Sequence, residues 1–155
     1  MPQLEKGGKH VFGWSVVGRD GRVRIPAEAL REYRLRAGER VILVSGSRTS
    51  GGFGLTRRSF LVRSPLRRLL QENPRLDRYR LREGEPLRHR WRFLCWLKIR
   101  RGGIVRLPPA ARAAYGLRGG DRLMSVRSSD IAIGFAAKGP LVAVGRKHPE
   151  IEVFV

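Results

Sequence analysis

Apolar and polar residues along this chain alternate in short runs far more often than they recur every three or four positions, and that pattern predicts strands joined by tight turns. Residues 10–19 (HVFGWSVVGR) are rich in β-branched and aromatic side chains and read as a strand. Asp20-Gly21 then predicts a turn, because both residues tolerate the positive φ that hairpin turns demand. The return strand, residues 22–25, places Val23 and Ile25 on one face and Arg22 and Arg24 on the other. Pro26 suits the opening of a short helix over residues 27–34, in which Ala29, Leu30 and Tyr33 make a buried stripe and Glu28 and Glu32 complement the helix dipole. Residues 41–44 predict a further strand, and residues 51–55 with 60–62 a final hairpin.

Most of this unit returns 82 positions later. Gly21, Val23, Arg24, Pro26, Ala29, Tyr33, Leu35, Arg36, Gly38, Arg40, Val44 and Ser47 meet identical residues at Gly103, Val105, Arg106, Pro108, Ala111, Tyr115, Leu117, Arg118, Gly120, Arg122, Val126 and Ser129. Trp14 and Arg19 meet Trp96 and Arg101 upstream, and Gly52-Phe53 meet Gly134-Phe135 downstream, so the repeats span about 10–63 and 92–145. Two copies are too few for a solenoid, and a unit this short is marginal alone. The expectation is one pseudo-two-fold body with Trp14, Val23, Ile25, Tyr33, Leu35 and their counterparts in a shared core. In the second copy, strands are expected at 122–126, 131–135 and 141–144, with Pro108-Pro109 opening its helix. Residues 146–155 form a C-terminal segment whose last five residues suit an edge strand.

The unrepeated segment 64–91 begins with Ser64-Pro65, an N-cap followed by a first-turn proline, and Leu66, Leu69 and Leu70 predict a helix up to Asn73-Pro74. Beyond it, Gly84 and Pro86 interrupt a stretch of weak order. Residues 1–9 read as a loose arm from which Lys6 and Lys9 can reach a phosphate backbone.

Charge changes the picture most. The chain of 155 residues carries 33 Lys and Arg against 13 Asp and Glu, a net +20, and such a field attracts polyanions. Heat adaptation interleaves charges of both signs, whereas this excess is one-sided. Cys95 lies in the apolar run FLCWL and reads as core, and the three histidines lack ligand spacing, so neither a metal nor a cofactor is expected. No apolar run approaches the roughly 20 residues of a membrane span and the N-terminus has no apolar leader core, from which a soluble, cytoplasmic protein is expected. Asp20, Asp77, Asp121 and Asp130 sit singly at turns, and no phosphate cradle or nucleophile signature accompanies them, so nothing in the sequence argues for an enzyme.

The motifs Gly21-Arg22-Val23-Arg24-Ile25-Pro26 with Gly38-Glu39-Arg40-Val41, and Gly103-Ile104-Val105-Arg106-Leu107-Pro108 with Gly120-Asp121-Arg122-Leu123, resemble the swapped-hairpin family of AbrB, MazE and SpoVT. Two copies in one chain are also similar to the MraZ arrangement. The resemblance implies that the repeats interlace as one swapped-hairpin β-barrel, mainly β with short helices, and that the barrel binds duplex DNA as a nucleoid-associated transcriptional regulator. It makes Arg22 the motif arginine, Arg31 and Arg112 the helix arginines, and Lys98 the basic residue before the turn, where the first copy has Val16. From the residues alone, Arg24 and Arg106 face outward on paired strands and make a two-stranded basic ribbon of the kind that lies in a DNA groove. Arg34, Arg100 and Arg101 extend that charge on the neighbouring helix and strand. Two further readings stay open, an antitoxin-like or regulatory module that grips a protein, such as a toxin, and an RNA-binding protein. Homo-oligomers of such pseudo-dimeric chains are also expected.

Overall fold

A computed structural model describes residues 9–155, and the expected phosphate contact of Lys6 lies outside them. In chain order the elements are β1 (Val11–Val16), β2 (Arg22–Arg24), α1 (Ala27–Glu32), β3 (Arg40–Ser45), β4 (Phe53–Thr56), α2 (Arg58–Val62), α3 (Arg68–Gln71), α4 (Pro74–Asp77), β5 (Leu87–His89), β6 (Arg92–Lys98), β7 (Ile104–Arg106), α5 (Pro109–Tyr115), β8 (Arg122–Arg127), β9 (Ile133–Ala136), α6 (Pro140–Gly145) and β10 (Val153–Phe154). The protein is mainly β with short helices.

Strands pair across the two copies. β1 runs antiparallel to β8 with Trp14 opposite Met124, and β6 runs antiparallel to β3 with the equivalent residues Trp96 and Ile42 opposed. β2 and β7 form a separate two-stranded ribbon in which Val23 faces its own counterpart Val105. The midpoint of such a pair must lie on the pseudo-two-fold axis. A turn forms over Gly18–Gly21, the Gly21 N–H donating to the Gly18 carbonyl at 3.0 Å, but only Gly21, at φ 86°, takes the positive φ expected of both Asp20 and Gly21. However, β2 does not return along β1. Both edges of β1 are occupied, one by β8 and the other by β10, so β2 takes β7 as its ladder partner. On the β1 side it keeps the Gly18 N–H to Arg22 carbonyl bond at 2.8 Å and the Ser15 hydroxyl to Arg24 carbonyl bond at 2.8 Å. The large sheet takes the order β10-β1-β8-β9-β4-β3-β6-β5.

Downstream of β3 the repeat register differs from the gapless alignment. Ile42 pairs with Thr56, whereas its equivalent Met124 pairs with Ala136, so Thr56 corresponds to Ala136. The connection over residues 46–52 is two residues longer than that over 128–132, and this extra length moves the match of Gly52-Phe53 with Gly134-Phe135 by two positions. Gly54 opposite Gly134 is therefore a second self-equivalent pair on the axis, flanked by the stacked rings of Phe53 and Phe135, 4.8 Å apart.

Two expected strands are helices. Residues 60–62 lie in α2, with Leu61 buried and Val62 exposed. Residues 141–144 lie in α6, which starts after Gly139 at φ 98° with Pro140 in its first turn and buries Val142. Apolar runs this short carry no distinguishing period. The segment after β4 also differs from expectation. Ser64 Oγ accepts the Leu66 N–H at 3.1 Å, but residues 65–67 wind as a 3-10 turn before α3. The tighter winding takes Leu66 off the face that buries Leu69 and Leu70. The stretch expected to be weakly ordered is packed, because Leu76 and Leu81 are buried and the Leu81 carbonyl accepts the Trp96 indole N–H at 2.8 Å.

The central core draws on both copies: Val23, Ile25, Tyr33, Leu35, Val41, Phe53 and Leu55 meet Val105, Leu107, Tyr115, Leu117, Leu123, Ile133 and Phe135. Trp14 and Trp96 are not in it. Each points to the opposite face of its strand and joins a satellite cluster, Trp14 with Met124, Val142 and Ile151, Trp96 with Ile42, Leu76 and Leu81. Cys95 is core, and burial pushes its thiol up to about 12.

Candidate nucleic-acid interface

The β2–β7 ribbon turns Val23 and Val105 to the core, and alternation then sends Arg22, Arg24 and Arg106 outward. The register opposes Arg22 to Arg106 and Arg24 to Ile104. Like charges directly opposed repel. Asp20 relieves this pair, its Oδ1 3.3 Å from Arg22 Nε and its Oδ2 3.7 Å from Arg106 Nη2. Desolvation pushes the Asp20 carboxyl up, but the Arg22 backbone N–H and the charges of Arg22 and Arg106 outweigh it and hold the group below its ordinary value. Asp20 thus belongs to the site through its charge as well as its turn, and nothing in its local sequence separates the two roles.

Several candidate arginines brace the fold. Arg24 donates from Nε to the Val155 carbonyl at 2.8 Å and from Nη1 to the Gly102 carbonyl at 3.0 Å. Arg106 mirrors it with a longer bond from Nε to the Asp20 carbonyl, the residue equivalent to Gly102. Each arginine therefore ties the other copy's hairpin tip. Arg112 also ties the other copy's hairpin tip, donating from Nη1 to the Arg19 carbonyl at 2.8 Å, and its Nε is buried against Gly21 with no hydrogen-bond partner among the described residues. In structural register Arg112 takes the place of Leu30, whose side chain lies against Gly103, so Arg31 and Arg112 are not equivalents. Arg100 pairs with Glu83 at 2.9 Å. Arg100, Arg106 and Arg112 line a cleft of about 420 Å³ with Asp20 and Glu83. Copy one has Gly18 and Leu30 at the places of Arg100 and Arg112, so its equivalent surface lacks two of the three arginines of this cleft.

The remaining candidates, Arg31, Arg34, Lys98 and Arg101, are exposed and make no ion pair among the described residues. Arg34 sits at φ 55°, in the left-handed region, where its counterpart is Gly116 at φ 68°. Arg19, equivalent to Arg101 at the other hairpin tip, is also exposed and makes no ion pair among the described residues. Its identity with Arg101 across the repeat is what marks it in the sequence. Lys98 opposes Arg40, which stacks on Tyr79 and Trp96 at 4.6 and 5.2 Å, while Arg122 opposes Val16. The described residues hold no group of three or more His, Cys, Asp or Glu placed to bind a metal, and no helix among them is long and apolar enough to cross a membrane.

No family model matches this chain, and no curated protein does. Among solved structures, "The solution structure of PHS018 from pyrococcus horikoshii" is similar at 15% identity, covering 84% of this chain and 97% of that one with a TM-score of 0.38. A likeness of that size carries no argument about fold or function.

Proposed function

We infer that the protein is a DNA-binding transcriptional regulator of the AbrB type, its two repeats interlaced as a swapped-hairpin barrel that binds duplex DNA and associates with the nucleoid. The observation that carries this reading is the β2–β7 ribbon, which brings Arg22 and Arg106 side by side next to the pseudo-two-fold axis. The exposed side chains of Arg31, Arg34, Lys98 and Arg101, without ion pairs among the described residues, supply the further cations that phosphate contacts require. Cross-copy pairing of β1 with β8 and of β6 with β3 supports the interlacing. Arg22 is the base-reading candidate because it is the most exposed arginine of the ribbon, whereas Arg24 and Arg106 are held to backbone carbonyls. The cleft of Arg100, Arg106 and Arg112, two of whose arginines have no counterpart in copy one, makes the two halves contact DNA unequally, so a strictly palindromic site requires two chains.

A salt-titrated binding assay against random duplex DNA, RNA and heparin tests this. Duplex DNA should bind most tightly, with log K falling linearly against log salt by about 0.9 for each phosphate contact. Affinity indifferent to salt, or no duplex binding at low salt, contradicts it. Tighter binding to RNA moves the function to RNA.

A further inference from the structure

The other end of the axis carries a cavity that the nucleic-acid reading leaves unused. Gly54 and Gly134 pair on the axis, and the outer face of the sheet beside them opens into a hollow of about 470 Å³, within the range of small-molecule sites. Leu61, Leu66, Pro140 and Leu141 line it together with Val44 and Val126 of the sheet. Leu66, which is 41% exposed and out of place on a solvated surface, is accounted for as a wall of this hollow. Gly54 keeps it open. A Cβ there would meet nothing closer than the Val44 carbonyl oxygen at 4.0 Å, so the space above it is free.

Lys9, Arg92 and Lys138 lie on the lining, and no Asp or Glu does among the described residues. Lys138 has no ion-pair partner among the described residues, Arg92 lies over the Trp91 ring at 4.9 Å, and the Lys9 ammonium donates to the Ser128 carbonyl at 2.9 Å. Apolar walls with positive charge and no carboxylate complement a molecule with an apolar body and one anionic end. An anionic end can pair with Lys138, which has no ion-pair partner among the described residues, whereas a bare anion would leave the apolar walls wet.

We propose that this hollow binds an amphipathic small-molecule anion of the carboxylate type, its hydrocarbon part over Gly54 and its carboxylate toward Lys138. The site is at a different point on the axis from the β2–β7 ribbon, so its occupancy and DNA binding are separately measurable.

The test is isothermal titration of the full chain with octanoate, 1-octanol and acetate. Octanoate should saturate at one per chain and bind about tenfold or more tighter than either of the others. Gly54→Leu, which fills the hollow, should abolish the octanoate heat, and Lys138→Glu should weaken octanoate by about threefold or more while leaving octanol unchanged. Octanol binding as tightly as octanoate overturns the proposal, as does octanoate affinity unchanged by Gly54→Leu or the absence of a saturable site. If Gly54→Leu does not fold, Lys138→Glu decides alone, because its side chain is exposed, and unchanged octanoate affinity there overturns the assignment.

Discussion

At the scale of single residues, Arg34 separates stability from function most cleanly. A non-glycine residue in the left-handed region costs about 1 to 2 kcal/mol, and the second copy avoids that cost with Gly116. The Arg34 side chain has no ion-pair partner among the described residues that would offset the strain. Strained residues retained without a structural return concentrate at functional surfaces. Arg34→Gly should therefore raise stability by about 1 kcal/mol in denaturant melts and at the same time weaken duplex binding. A variant that is stabilised and binds DNA as before would remove Arg34 from the interface. Arg24 stands at the opposite pole, because its two hydrogen bonds to carbonyls make its removal chiefly a matter of stability.

Among the elements, the hairpin tips show how small sequence differences become unequal structures. Gly21 and Gly103 are equivalent and both have positive φ, yet a side chain at Gly21 would run into the fixed Leu107 carbonyl oxygen, while one at Gly103 would meet the movable end of Leu30. Both alanine variants should lose about 1 kcal/mol for the dihedral alone, and Gly21→Ala should lose clearly more than Gly103→Ala. Paired thermal melts check the order, and equal losses would contradict the packing assigned to the tips. The same elements mark how far the sequence reading reached. The strands expected at 10–19, 22–25 and 41–44 match β1, β2 and β3, the first legible from its β-branched and aromatic residues and the second from alternation, and the repeat was legible from identities such as Tyr33 with Tyr115. Which strand pairs with which was not, since alternation fixes a face and says nothing of the neighbour. The helices at 58–62 and 140–145 were hidden because each buries only one or two apolar side chains in about a turn. The two-residue insertion before Phe53 was hidden by the chance match of Gly-Phe with Gly-Phe, and only the ladder register exposes it. In the site, the outward arginines were readable from period two, but their bonds to Val155, Gly102 and Asp20 join residues remote in sequence.

For the whole molecule, the governing feature is that β3–β4 and β8–β9 pair within one repeat but every other ladder between the repeats' main strands crosses from one copy to the other. β1 depends on β8, β3 on β6 and β2 on β7, and the central core takes side chains from both halves. Each fully buried Val, Leu, Ile or Phe contributes about 1.5 to 3 kcal/mol, so losing one half's share of that core exceeds the total stability of an ordinary domain. Residues 1–63 or 92–155 expressed alone should be unfolded or self-associated by sedimentation and circular dichroism. A cooperatively melting monomer from either half would overturn the shared core.

The most direct measurement of the central claim is the salt slope of duplex binding in two triple variants of the full chain. The first replaces Arg22, Arg31 and Arg101 with alanine around the ribbon. The second replaces Arg67, Arg78 and Arg80, which are exposed and, unlike Arg22, make no ion pair among the described residues, on the segment between the repeats. The ribbon variant should flatten the slope of log K against log salt by about 0.9 for each phosphate it no longer neutralises, and the second variant should keep the slope of the unaltered protein. A slope untouched by the ribbon variant, or reduced as much by the second, would place the DNA elsewhere and contradict the account.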